Sequence, residues 1–331
     1  MRISLETQRG FSFYQKNMNE QIKEQILVFS TQKYAYFREA FVEKEKAIFE
    51  KGKLEHKVFP DGESYYRILS KLQSREAVLI GGTVSENDTM ELYDLASGLV
   101  DEGVKKLTII IPFYGYSTME RTVKSGEIVT AKTRARLLSA IPQSYSGNRI
   151  VMVDLHVSGL QYYFERGVHT VHLYAKPLIL EAARKLGGKD FVLASADAGR
   201  AKWVESLAFD LGVDAAFVYK RRSSGSDTEI TGINADVNGK KVVLYDDMIR
   251  TGGSLINAVK VYKEAGAKEI YVVATHGVFP NGSVERLENS KLIEKIIVTD
   301  THSNAKEAAQ KTDFIEISSI SDLLIDAVTS F

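Results

Sequence analysis

The chain has 331 residues, room for two domains of ordinary size that each bury a core. Its 43 basic and 43 acidic residues cancel, which removes any global electrostatic case for nucleic acid or an anionic membrane surface. No run approaches 18 apolar residues, Met1 to Gln25 lacks the apolar stretch of a signal peptide, and the absence of cysteine excludes disulfides and thiolate metal sites. The expectation is a cytoplasmic protein whose metals are held by carboxylate, imidazole, phosphate or water.

Strand and helix patterns alternate along the chain. Buried strands are predicted at 26–29, 77–80, 107–111, 149–153, 191–194, 215–219, 242–245, 270–274 and 295–298, with amphipathic helices at 90–102, 130–139, 178–185 and 201–211 between them. This α/β alternation predicts mainly parallel sheets flanked by helices, two in tandem, dividing near Gly167. Ligands of such sheets sit at the carboxyl ends of the strands.

Taken in chain order, Phe59-Pro60-Asp61-Gly62-Glu63-Ser64 is first of all a tight turn, although an aromatic beside two carboxylates can also stack on and accept from an adenine. Asp154-Leu155-His156 ends a predicted central strand; a lone histidine there is more often structural than catalytic. The loop Ala194 to Lys202 contains Asp197-Ala198-Gly199, a second strand-end turn. Tyr219-Lys220-Arg221-Arg222 enters a Ser/Gly-rich stretch. It reads either as a solvated basic loop or as a flap whose cations stabilise charge on phosphoryl oxygens.

The most specific segment is Val242-Val243-Leu244-Tyr245-Asp246-Asp247-Met248-Ile249-Arg250-Thr251-Gly252-Gly253-Ser254-Leu255. Leu255, Ala258, Val259 and Tyr262 form one apolar helical face, so the turn joins a strand to a helix. Backbone amides of Arg250, Thr251, Gly252, Gly253 and Ser254 then converge at a helix N-terminus, where a phosphate is stabilised by unpaired donors and the helix dipole. Asp246 and Asp247 add acceptors suited to sugar hydroxyls or a metal. Phosphate and hydroxyls together describe a pentose phosphate.

In order and spacing these motifs resemble those of the ribose-phosphate diphosphokinases, which make phosphoribosyl diphosphate. The resemblance runs from about Gln25 to the C-terminus and also takes in Ile109 to Arg121, Thr130 to Leu138, Met152 to Phe164 and Thr275 to Phe279. It implies two tandem phosphoribosyltransferase-like domains, 25–166 on the ATP side and 167–331 on the ribose 5-phosphate side. The last residues are free to pack back on the first domain, and 1–24 forms an extension outside the resemblance. It implies further that Phe59, Asp61, Gly62 and Glu63 serve the ATP site of a neighbouring subunit in a homo-oligomer. His156, Asp154 and Asp197 would place Mg²⁺, and His156 would also touch ATP. Lys220 and Arg222 would be catalytic, and 246–247 with 250–254 would hold ribose 5-phosphate.

Two departures stand out. Where most members carry an Arg-Gln pair that helps hold ATP, this chain has Ser117-Thr118-Met119-Glu120-Arg121. Thr118, Met119, Glu120 and Arg121 resemble the plant-type class II subgroup, which implies independence from inorganic phosphate and a wider choice of nucleotide donor. Arg250 replaces an Asp or small residue. A transferase that consumes phosphoribosyl diphosphate and a non-catalytic regulatory paralogue are the alternatives.

Overall fold

A computed structural model describes residues 24–196, 198–222 and 228–330, without the side chains of 198, 219–222 and 228–232. The segment 1–24, expected to be an N-terminal extension, lies outside the described residues except for Glu24.

Two sheets dominate. The first is parallel throughout, with order β2-β1-β5-β6-β7-β8. Its strands are β1 (Ile26–Ser30), β2 (Phe49–Lys51), β5 (Glu76–Ile80), β6 (Lys106–Ile111), β7 (Asn148–Val153) and β8 (His169–Leu173). The second has order β11-β10-β9-β12-β13-β14-β15, parallel except for the antiparallel edge strand β11. It is built from β9 (Val192–Ser195), β10 (Asp214–Arg222), β11 (Thr228–Ile233), β12 (Lys241–Ile249), β13 (Glu269–Gly277), β14 (Lys295–Thr299) and β15 (Ile315–Ser318). Strands such as Lys106–Ile111 and Lys295–Thr299 are β-branched and almost wholly buried, as sheets covered on both faces require. A separate hairpin, β3 (Leu54–Val58) and β4 (Ser64–Ile68), rests Leu54, Tyr66 and Ile68 on the first core.

The helices are α1 (Ala35–Lys44), α2 (Glu86–Asp101), α3 (Thr130–Ser139), α4 (Lys176–Gly187), α5 (Ala201–Leu211), α6 (Gly253–Glu264), α7 (Ser283–Asn289), α8 (Ser303–Ala309) and α9 (Ser321–Thr329). Local signals set their starts. The Ser85 hydroxyl accepts from the Asp88 amide to cap α2, and Pro177 lies in the first turn of α4.

The division of the sheets differs from the expectation at Gly167. β8 pairs with β7 through Arg149↔His169 to Val153↔Leu173, so the chain leaves the first sheet only after Leu173. Periodicity misses this strand because His169-Thr170-Val171-His172-Leu173 has neither a continuous apolar run nor clean alternation. The C-terminus crosses back, with Ile320, Leu324 and Ile325 buried in one cluster with Val28, Phe37 and Phe41.

The carboxyl ends of the two sheets meet. Tyr34 and Tyr36, beyond β1, donate their hydroxyls to the carbonyls of Thr301 and Asp300, beyond β14, at 3.0 and 2.6 Å. Within the second sheet the chain order reverses between β9 and β12, which have β10 and β13 as outer neighbours. The turns after β9 and β12 thus open at a topological switch point, where doubly wound sheets bind ligands.

Candidate active site

The phosphate-loop segment forms as expected, with one change in its approach. β12 runs four residues past the predicted end, through Asp246, Asp247 and Met248 to Ile249. The two carboxylates stay neighbours there but differ in burial and partners. Asp246 is half-buried, and its Oδ1 accepts from the Asp247 amide at 2.9 Å. Asp247 is buried, and its Oδ2 lies 2.6 Å from His156 Nδ1 and 2.5 Å from Arg200 Nη2. Burial alone would raise the Asp247 carboxyl, but the His156 hydrogen bond and the Arg200 charge outweigh it and hold the group below its ordinary range.

After Ile249 the chain turns through exposed Arg250 and Thr251 to Gly252, which caps α6 with φ +77° and no side-chain cap. A Cβ on Gly252 would stand 2.7 Å from Leu287 Cδ2, so this position needs glycine for both conformation and space. Gly253 is different. Its Cβ would meet nothing closer than Thr251 Oγ1 at 4.0 Å. Protein packing therefore leaves open space at the Gly253 Cβ position, in the first turn of α6. Ser254 is exposed beside it.

His156 reaches this strand from the first sheet. His156 Nδ1 sits 2.6 Å from Asp247 Oδ2 and 3.0 Å from Arg200 Nη2, and Arg200 Nη2 donates to that carboxylate and to the His156 carbonyl at 3.0 Å. A carboxylate on the far nitrogen of an imidazole is the usual support of a metal-bound histidine. Among the described residues no group of three or more His, Cys, Asp or Glu could hold a metal ion by itself.

Asp154, expected to help place the metal, takes up contacts within the protein. It is buried at the end of β7 with φ +37°, and its carboxylate accepts from Thr275 Oγ1 at 2.6 Å and from the Ala175 amide at 3.2 Å. Burial raises this carboxyl above its ordinary range. One oxygen joins the two sheets through Thr275, and the other holds the turn after β8. Asp197 lies outside the described residues. Lys220 and Arg222 close β10, opposite Ile230 and Thr228 of β11, and their side chains lie outside the described residues. The basic segment thus closes a strand, as expected, and the Ser/Gly-rich stretch 223–227 that follows lies outside the described residues.

Phe59, Asp61, Gly62 and Glu63 form the exposed tip of the β3–β4 hairpin. Gly62 has φ +92°, and the Phe59 amide donates to the Glu63 carbonyl at 2.8 Å. Phe59 is 45% exposed, its ring edge-on to Tyr65, so this aromatic is presented outward from its own chain. In the segment where Arg-Gln is missing, Thr118 and Met119 are exposed and Arg121 pairs with Glu120 at 3.3 Å. The Glu120 carbonyl accepts from Tyr163 Oη at 2.5 Å. Arg134 lies over the Tyr116 ring at 4.5 Å and pairs with Glu86, so α3 and the start of α2 brace the loop.

Sequence reasoning assigns no role to Arg200, Thr275, His276 or Arg134. Arg200 stands directly after the Asp-x-Gly turn at the start of a helix, a position that signals an inward cation once the switch point is known. The other three need the tertiary structure.

Comparison with known proteins agrees with this geometry. Residues 15–141 match the N-terminal domain of ribose phosphate pyrophosphokinase, and residues 223–330 match the phosphoribosyl synthetase-associated domain. The chain is 34% identical to the ribose-phosphate pyrophosphokinase of Fusobacterium nucleatum subsp. nucleatum, over 86% of this chain and 88% of the relative. It is 33% identical to that of Pyrococcus abyssi, over 79% and 88%. The crystal structure of phosphoribosylpyrophosphate synthetase from Mycobacterium smegmatis superposes with a TM-score of 0.81 at 27% identity, covering 93% of this chain and 98% of the other. The chain belongs to the ribose-phosphate pyrophosphokinase family.

Proposed function

We infer that this enzyme transfers the β,γ-diphosphoryl group of ATP to the 1-hydroxyl of ribose 5-phosphate, giving 5-phosphoribosyl 1-diphosphate and AMP. The observation that carries this is the open N-terminus of α6 above Gly253, seated at the switch point beside the His156–Asp247–Arg200 cluster. The 5-phosphate docks on the amides from Arg250 to Ser254, and Asp246 accepts from the ribose hydroxyls. Asp247 acts through His156 and Arg200 and is not a free sugar ligand.

ATP lies across the crevice from this loop, along Thr118, Met119, Glu120 and Arg121. The outward-facing Phe59, with Asp61 and Glu63, suits the adenine of a neighbouring subunit in a homo-oligomer, because an exposed hairpin tip has nothing to hold on its own chain. His156 and Asp197 would hold Mg²⁺, which would supply charge neutralisation for the polyphosphate. Lys220 and Arg222 approach on the β10–β11 hairpin and stabilise charge developing on the transferred phosphoryl oxygens. The acceptor hydroxyl attacks the β-phosphorus in line and AMP leaves. Positioning and electrostatics provide the rate enhancement, with no covalent nucleophile. No helix among the described residues is long and apolar enough to cross a membrane, and we place the reaction in the cytoplasm.

The test is AMP formation from MgATP and ribose 5-phosphate by wild type and by Lys220→Ala. The variant should lose at least about 100-fold in kcat, as removal of a preorganised charge does. AMP production equal to that of wild type would remove Lys220 from the mechanism.

A further inference from the structure

Between the sheets lies a buried polar clasp that the phosphoryl-transfer chemistry does not use. Asp154 ends β7 in the left-handed region, a conformation that a non-glycine residue keeps only when its surroundings enforce it. The Leu173 carbonyl and the Ala175 amide hold it from the end of β8, and the rest of its surroundings come from the other sheet. Thr275 Oγ1 donates to Asp154 Oδ2 at 2.6 Å, and His276 Nε2 donates to the Asp154 carbonyl at 3.0 Å. His276 Nδ1 in turn lies 2.8 Å from the Thr301 hydroxyl, which fixes the tautomer that has its proton on Nε2. Thr275, His276 and Thr301 are all at most 2% exposed, and the Phe113 ring meets His276 edge-on. Two residues beyond Asp154, the chain presents His156 to Asp247 and Arg200.

We propose that Thr275 and His276 are positioning residues: by gripping the strained turn at Asp154 from the opposite sheet, they aim His156 at Asp247 and so set the geometry of the crevice. Both are buried, Thr275 reaching the Asp154 side chain and His276 its backbone carbonyl. With the grip removed, the turn relaxes toward ordinary backbone conformations, and the His156 ring leaves its hydrogen bond.

The clasp rests on the diphosphokinase reading only for its kinetic consequence, so two measurements separate the two. The first is the ¹⁵N spectrum of the His156 imidazole in the full-length protein without substrate, assigned by its loss in His156→Gln. Wild type should show a single set of His156 imidazole signals. Thr275→Val should shift or exchange-broaden them, and Thr275→Ser should restore the wild-type spectrum. The second is steady-state AMP formation. Thr275→Val should lower kcat by roughly ten- to a hundredfold, the scale of a slightly misplaced group, with the KM for ribose 5-phosphate changed by about twofold or less. In a His156→Ala background the same substitution should remove little more, because the group it positions is gone. Should Thr275→Val not fold, Thr301→Val, which leaves Asp154 paired with Thr275, must shift the His156 spectrum and lower kcat in the same manner. An unchanged His156 spectrum, or an equal loss of kcat with and without His156, overturns the proposal. Absence of AMP from wild type alongside the predicted spectra would instead refute the reaction and leave the clasp standing.

Discussion

Adjacent glycines in the phosphate loop should respond to the same methyl group in opposite ways. Gly252 has φ +77°, and its Cβ would lie 2.7 and 2.8 Å from Cδ2 and Cγ of Leu287, a fully buried side chain. Left-handed backbone costs about 1–2 kcal/mol for alanine, and forcing a packed leucine aside adds about 1–3 kcal/mol. Gly252→Ala should therefore destabilise the protein by about 2–5 kcal/mol. Gly253 lies in the first turn of α6 with open space around its Cβ position. Gly253→Ala should leave stability unchanged or raise it by about 0.4–1 kcal/mol through the unfolded chain. Its methyl, however, occupies the space above the amides and displaces a charge-assisted hydrogen bond worth about 1.5–3 kcal/mol, or roughly 10- to 150-fold in affinity. Denaturant unfolding without ligand measures the first effect, and calorimetric titration with ribose 5-phosphate the second. A Gly253→Ala protein that binds ribose 5-phosphate as wild type does, or that is as unstable as Gly252→Ala, refutes the placement of the phosphate.

Other consequences follow from packing, burial and the altered ATP segment. Leu324 is fully buried among Phe37, Phe41 and Ile110, so Leu324→Ala should lower stability by about 2–5 kcal/mol in denaturant melts, although it lies in the last helix. Burial, with the His276 and Lys33 charges, holds the His302 imidazole down at about 3, and burial, with His276, holds His172 at about 4. Unfolded imidazole titrates near 6.5, so below that pH the unfolded chain takes up protons that the folded chain refuses. Stability is complete above pH about 6.5 and falls toward pH 4, by about 1.4 kcal/mol per pH unit for His302 alone, which pH-dependent melts will show. The Thr118-Met119-Glu120-Arg121 segment predicts AMP formation without added inorganic phosphate and with GTP, CTP or UTP as donors; initial rates across these conditions check it.

Local chemistry makes much of this legible in the sequence. The helices at 130–139 and 201–211 fall where periodicity places them, and the Thr-Gly-Gly turn caps α6 as its residues dictate. What sequence cannot supply is the pairing between sheets. β8 looks polar and broken because His172 takes the Leu155 amide on its ring instead of packing as an apolar residue. The run Asp246-Asp247 reads as one acidic patch, but the fold gives Asp247 to His156, 91 positions away. Asp154 carries a ligand-like residue type in a ligand-like place, yet a threonine 121 positions on claims its carboxylate. Such contacts leave no local signature, since periodicity records which face is buried and not what lies against it.

The central claim is that a diphosphoryl group moves intact from ATP to the sugar on the Thr-Gly-Gly loop. Incubation of the full-length protein with Mg²⁺, ribose 5-phosphate and ATP labelled at the β-phosphorus tests it directly. The account predicts that the label appears wholly in phosphoribosyl diphosphate and that AMP is unlabelled and equimolar with it. Label recovered in ADP, or no transfer until phosphoribosyl diphosphate and a nucleobase are supplied, would contradict it.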